Sequence, residues 1–317
     1  MRKATIVVIA AFLAGCAHST SRPGHTLAWS ANERAIPQLQ EKLKADPKNA
    51  DLNASLGQAY LQKARETGDP SYYTKSEGLF ALALASKPDH VEALIGKASL
   101  AMSRHQFELA RDVARRAAAL NPYSAGARGI LTDAYVQLRD YDNAVRTLDE
   151  MVRLKPNLSS YSRISYMREL KGDSAGAIQA MAMAIQAGAP DGENTAWCIV
   201  QLGNLYLNSG RPATAEVAYR AALRRFPKYV HAYAGLAKVA TARKDFDSAV
   251  DYYQKAIEAV PAPEFLIGLS SVYQKMGRTE DARAQLQLVS NIKKVYEANG
   301  VSMDAEIRQM MEKAGIG

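Results

Sequence analysis

The chain has 317 residues, 48% of them hydrophobic, and a formal charge of +8 from 40 basic and 32 acidic side chains that are mostly interspersed, as on a solvated surface. With only 6 Phe and 2 Trp, the composition suits many thin helices packed through small side chains and argues against a thick sheet sandwich. Two cysteines, Cys16 and Cys198, exclude a disulfide-stapled scaffold.

Met1-Arg2-Lys3 is a short positive start, and residues 4–14 are almost wholly apolar. That run is too short for a membrane-spanning helix, which needs about 20 residues, but it fits the core of an export signal. It ends on Leu13-Ala14-Gly15-Cys16, which resembles the lipobox of bacterial lipoproteins. The resemblance implies that the Cys16 thiol takes a diacylglyceryl group, that residues 1–15 are removed as a signal peptide, and that an acylated (palmitate-bearing) Cys16 becomes the N-terminus. Ala17, rather than Asp, follows the cysteine; by the sorting rule of Gram-negative lipoproteins this implies the outer membrane, periplasmic face. In a single-membrane bacterium the address becomes the extracytoplasmic membrane surface. Residues 16–30, rich in Ser, Thr, Gly and Pro, read as a flexible tether. Cys198 then has no disulfide partner, and its neighbours Ala196, Trp197, Ile199 and Val200 mark it as a core thiol.

Residues 31–47 read as a lone N-terminal helix. Beyond it the prolines keep time: Pro88, Pro122, Pro156 and Pro190 are each 34 residues apart, Pro227 follows after 37 and Pro261 after another 34. A fixed period of this length is the signature of a repeat array. Between prolines, small and large residues recur in order. One unit carries Leu202-Gly203, Tyr206, Ala215, Tyr219, Ala222 and Pro227; the next carries Leu236-Ala237, Phe246, Ala249, Tyr253, Ala256 and Pro261. Here the chain resembles the tetratricopeptide repeat (TPR) family of helix-turn-helix units. The resemblance implies an all-α fold, a right-handed TPR superhelix (α-solenoid) of about seven repeats over residues 50–297, closed by a capping helix in residues 301–317. Small residues at the eighth, twentieth and twenty-seventh places let the two helices of a unit approach closely, and the large residue between them fills the gap toward the next unit. Three departures stand out. The first unit has seven surplus residues, expected as an exposed turn around Arg65–Pro70. The unit from Leu158 has Ser165 at the eighth place. The last unit lacks its closing proline, so its second helix is expected to run on to Tyr296.

Such an array offers a groove lined by the first helix of each unit. Projecting the second, fifth, sixth, ninth and thirteenth places gives Arg163, Tyr166, Trp197, Gln201, Asn204, Asn208, His231 and Lys238 toward the middle, and Gln58, Glu92, Ser99 and Asp133 near the N-terminal end. Aromatic, amide and basic groups together suit an extended peptide: amides pair with its backbone, aromatics cover apolar side chains, and a cation meets an acid. TPR chaperone adaptors hold a C-terminal carboxylate with Lys and Asn at set places in consecutive repeats. Here the fifth-place partner of Asn204 is Val200 and the neighbouring ninth places hold Ser99, Asp133, Tyr166 and Lys238, so that clamp is not assembled. Arg111, Arg115 and Arg116, and separately Arg220, Arg224, Arg225 and Lys228, form basic stripes on second helices.

No metal pair, nucleophile elbow, P-loop or dinucleotide turn occurs, and the paired acids Asp140/Asp142 and Asp245/Asp247 fall at turns, where they cap helices. The sequence therefore points to a non-enzymatic, lipid-anchored scaffold or adaptor, pilotin-like or protease-adaptor-like, that binds protein or peptide partners in envelope assembly, without cofactor, metal or nucleic acid. Two alternatives stand beside it: a structural envelope component binding peptidoglycan or polysaccharide through the basic stripes, and an accessory subunit of an envelope enzyme complex.

Overall fold

The computed structural model describes residues 29–190, 192–303 and 305–315; the signal, Cys16 and nearly all of the tether lie outside them. Among the described residues the chain forms sixteen helices and no strand. They are α1 (Trp29–Ala45), α2 (Ala50–Thr67), α3 (Ser71–Ser86), α4 (Val91–Ser103), α5 (Phe107–Leu120), α6 (Ala125–Gln137), α7 (Tyr141–Leu154), α8 (Leu158–Leu170), α9 (Ser174–Ala187), α10 (Glu193–Asn208), α11 (Pro212–Arg225), α12 (Val230–Ala242), α13 (Phe246–Ala259), α14 (Pro263–Lys275), α15 (Thr279–Ala298) and α16 (Ala305–Lys313). From α2 to α15 they pair as seven hairpins.

The helix boundaries follow from local chemistry. Asn49, Ser124, Asp140, Asp173 and Asp245 each cap a helix by accepting a backbone N–H with the side chain. His90 does the same through Nδ1, 3.2 Å from the Ala93 nitrogen, while Nε2 lies 2.8 Å from Asp51 Oδ1. Since Nδ1 accepts there, the proton sits on Nε2 and is donated to the carboxylate. At the other end, Lys87, Asn121, Lys155, Phe226 and Val260 leave the helix in extended conformation, and each stands immediately before a proline. The proline ring disfavours the helical region for the residue before it, which favours a stop at these five places, although α1 runs on through Pro37.

Inside the hairpins a second rhythm emerges. The fifteenth place takes a left-handed turn in six hairpins: His105, Arg139, Gly172, Gly210, Lys244 and Gly277, with φ between 58° and 80°. Three of these are glycine, which adopts that region freely; three carry a side chain that resists it.

Packing between hairpins rests on aromatic rings seated against glycine. Tyr219 lies between Gly203 of its own hairpin and Gly235 of the next; Phe80 lies between Gly57 and Gly96; Tyr253 packs on Gly268. A methyl group on Gly203 would stand 2.5 Å from Tyr219 Cε1, and one on Gly57 2.6 Å from Phe80 Cε1. Optimal carbon contact needs about 3.5–4.0 Å, so no side chain fits. The eighth-place serines are not defects. Ser165 Oγ donates to the Ala177 carbonyl at 2.8 Å and Ser270 Oγ to the Ala282 carbonyl at 3.0 Å, joining the two helices of each hairpin.

The seven surplus residues of the first hairpin do not form a loop. Regular hairpins pair 13- and 14-residue helices, whereas α2 has 18 residues and α3 has 16, which absorbs the insertion. Apart from Gly and Pro at its end, the inserted stretch is compatible with helix, and α2 stops only at Gly68, whose φ of 69° closes the cap onto the Ala64 carbonyl. The long last helix is as expected, α15 running 20 residues to Ala298.

The chain divides into two compact units. In one, which holds residues 29–160 and Asn299–Ser302, α1 packs on α2 and successive helices pack in order from α2 to α7. In the other, Tyr161–Ala298 and the residues from Met303 on, the order runs from α9 to α15, and α16 packs on α14. There Met303 and Met311 cover Leu266, Ile267 and Val289, shielding the open side of the last hairpin.

Candidate functional site

In the unit that begins at Tyr161, α10 and α12 place most of the expected contacts on sides that solvent reaches. Trp197, Gln201 and Asn204 are half-buried; Asn208, His231 and Lys238 are exposed. Their arrangement is set from behind. Tyr219, locked in its glycine slot, donates its phenolic proton to Asn204 Oδ1 at 2.8 Å, and Asn204 Nδ2 donates to Gln201 Oε1 at 3.1 Å. The phenol holds its proton firmly, because burial and the neighbouring Tyr253 raise its pKa.

His231 stands edge-on to Tyr229 at 5.4 Å and to Phe265 at 5.6 Å, with protein around most of the ring although part of it meets solvent. Desolvation first, and then the Lys238 charge, push its pKa down to about 4, so the ring is neutral at pH 7. Asn208 donates to Glu169, and desolvation still raises that carboxyl above its ordinary range. Tyr229 Oη donates to Glu193 Oε1 at 2.7 Å. Sequence reasoning missed the roles of Tyr219, Tyr229 and Glu169; Tyr219 carried a signal, but only as a packing residue.

The two α8 candidates sit differently. Arg163 is 4% exposed and Tyr166 half-buried, and both are engaged with neighbouring groups. Arg163 occupies the sixth place, as half-buried Gln201 does in its own hairpin; Gly96, Gly235 and Gly268 hold that place in others, each against a ring of the preceding hairpin, so the place borders a packed interface, and Arg163 is enclosed there. In the other unit Ser99 is fully buried with its hydroxyl unpartnered, Gln58 and Asp133 are half-buried, and Glu92 is exposed.

The basic stripes are partly neutralised. Arg111 and Arg115 lie on Asp112 at 2.8 and 3.8 Å, Arg115 also reaches Tyr135 Oη at 3.1 Å, and Arg116 donates to the Pro88 carbonyl at 2.7 Å. Arg220 shares Glu216 with Arg243. Arg224, Arg225 and Lys228 are exposed.

Cys198 is fully buried, and burial with the Glu193 carboxylate pushes its thiol up to about 12, far from a reactive thiolate. Among the described residues no three His, Cys, Asp or Glu side chains converge as a metal site, and no helix is long and apolar enough to cross a membrane.

Residues 200–262 match the family profile "Tetratricopeptide repeat", and residues 74–171 match that of "ChAPs (Chs5p-Arf1p-binding proteins)". Superkiller complex protein 3 of Mus musculus is 23% identical over 265 residues, a match that covers 83% of this chain but only 15% of that protein. Among solved structures, the chain is similar to a tetratricopeptide repeat protein from Parabacteroides merdae, with TM-score 0.58, 15% identity and coverage of 77% of this chain and 93% of the other. It is similar also to the Cut9–Hcn1 hetero-tetramer of APC/C, with TM-score 0.62, 13% identity and coverage of 89% and 52%. These likenesses, with the repeat chemistry above, support the tetratricopeptide family and a protein-interaction type of fold.

Proposed function

We propose that this tetratricopeptide array is a lipid-anchored scaffold of the cell envelope, holding extended segments of partner proteins on the solvent-reached side of α10 and α12. The observation that carries the reading is the pair Gln201 and Asn204, held in fixed orientation by Tyr219, with half-buried Trp197 on the same helix and His231, packed on Tyr229, and exposed Lys238 on α12. Such groups lose little freedom on binding, which is what makes a surface selective. Reactive side chains do not converge there, and the work assigned to the chain is assembly rather than catalysis, as for a pilotin or a protease adaptor.

Anchoring rests on Leu13-Ala14-Gly15-Cys16, and with Ala17 following it the address is the periplasmic face of the outer membrane. Two or three acyl chains, at about 0.8 kcal/mol per buried methylene, make such a tether effectively permanent. Labelled palmitate should enter the wild-type chain and not Cys16→Ala, which should leave the membrane fraction; label retained in the variant refutes the anchor. A photocrosslinking residue at Asn208 should capture a polypeptide in intact cells, whereas one at the exposed Val217 of α11 should not. Capture from Val217 alone refutes the assignment of the binding side.

A further inference from the structure

We infer that the α10–α12 face selects an acidic side chain within an extended peptide, and that Tyr219 is the positioning residue that sets this preference. The inference rests on the peptide-holding role proposed above and adds the chemistry of the partner. Each amide side chain has one oxygen with two lone pairs and one NH2 with two protons. Tyr219 occupies one lone pair of the Asn204 oxygen, and Asn204 occupies one of the Gln201 oxygen, which turns both oxygens inward. Left over are three protons, two on Gln201 and one on Asn204, against one lone pair on each inward-turned oxygen. Reversing both amides would aim an NH2 at the phenol and leave the phenolic proton unmatched, and the ring cannot turn away because Gly203 and Gly235 enclose it. The buried proton therefore fixes the polarity of the surface amides.

Charge points the same way. Lys238 is exposed and has no ion pair among the described residues, and it lies about two turns along α12 from His231, which is neutral and adds no second charge. Three carboxylates of these hairpins have partners: Glu169 accepts from Asn208, Glu193 accepts from the Tyr229 hydroxyl, and Glu264 on α14 is also engaged. One ammonium on α12 and amide N–H groups on α10, the two helices that enclose Tyr219, match one side-chain carboxylate; holding a chain terminus in the clamp manner takes several converging cations.

The test is selection of a displayed random decapeptide library on the full chain, then anisotropy measurements with one selected peptide, its Glu→Gln form and its C-terminal amide. Selected sequences should be enriched in Asp or Glu at one position, the Gln form should bind about tenfold more weakly, and amidation should change nothing. Lys238→Glu should reverse the enrichment toward Lys or Arg. Tyr219→Phe keeps the ring in its slot and should weaken the acidic peptide about fivefold while lowering the thermal midpoint by only a few degrees, about what one lost hydrogen bond costs. Peptides selected without acidic enrichment overturn this inference and leave the scaffold reading standing; failure to select any peptide overturns both. Equal binding of the acidic peptide to wild type and Lys238→Glu, or an effect of amidation equal to that of Glu→Gln, also overturns it. If Tyr219→Phe does not fold, Gln201→Glu supplies the check, since an acid placed there should abolish acidic selection.

Discussion

Gly203→Ala should destabilise the chain, although helix propensity alone says the reverse. Replacing Gly by Ala inside a helix ordinarily gains about 0.8–1 kcal/mol. At position 203, in the interior of α10, the new methyl would stand 2.5 Å from Tyr219 Cε1 and 2.8 Å from Cδ1, at least about 0.7 Å inside comfortable contact. The ring has no room to retreat, because Gly235 presses on it from the following hairpin and its hydroxyl is tied to Asn204. Overpacking of this kind costs about 1–3 kcal/mol, and locking from both sides puts the cost at the upper end, so the net loss should be about 1–2 kcal/mol. Gly78 in α3 is the control: nothing stands within 4 Å of a methyl there, and Gly78→Ala should be stabilised by the full propensity gain. Urea unfolding followed by circular dichroism reads both. Tyr219→Leu should rescue Gly203→Ala partially, whereas Tyr219→Phe should not, since ring carbons make the clash. A Gly203→Ala variant as stable as wild type refutes the slot.

Three further outcomes follow from the same geometry. Arg139→Gly and Lys244→Gly, at φ of 60° and 62°, should each raise stability by about 0.5–1 kcal/mol in the same unfolding assay, relief of strain outweighing the freer unfolded chain. Thr132 is 1% exposed and its hydroxyl lacks the partner that Ser165 and Ser270 find at their eighth places, so Thr132→Val should be neutral or stabilising by up to about 1 kcal/mol, while Ser165→Ala should destabilise by a similar amount. His231, with its folded pKa depressed from 6.5 to about 4, contributes stability that is complete above pH 6.5 and is lost as pH falls through 4, because the unfolded chain takes up the proton first. Solvent at the exposed part of the ring reduces the effect to about 1 kcal/mol, and His231→Asn should flatten the stability profile in that window.

Much of the fold was legible in the sequence because a repeat states its rules several times. Prolines at a fixed period marked where helices stop, and the structure adds why: the residue before five of the six is extended, while α9 ends at Gly188, two residues ahead of Pro190. The alternation of small and large residues named Tyr219 and Tyr253 as fillers between units. Their glycine counterparts at the sixth place were not visible, since Gly235 and Gly268 acquire meaning only when the following hairpin is stacked on the ring. The insertion was misread as a turn because a repeat period counts residues without saying which element absorbs them. The candidate site was legible as a set of positions and illegible as a network. Helical projection put Asn204 and Gln201 on one side, but not that a phenol from α11 reaches through to orient them, nor that Arg163 is buried.

Hydrogen–deuterium exchange of the full chain with and without a selected acidic peptide tests the central claim most directly. Protection concentrated in residues 193–208 and 230–242 is the expected result. Protection confined to the second helices α11 and α13, or none in either region at saturating peptide, contradicts the assignment of this face as the site where partners are held.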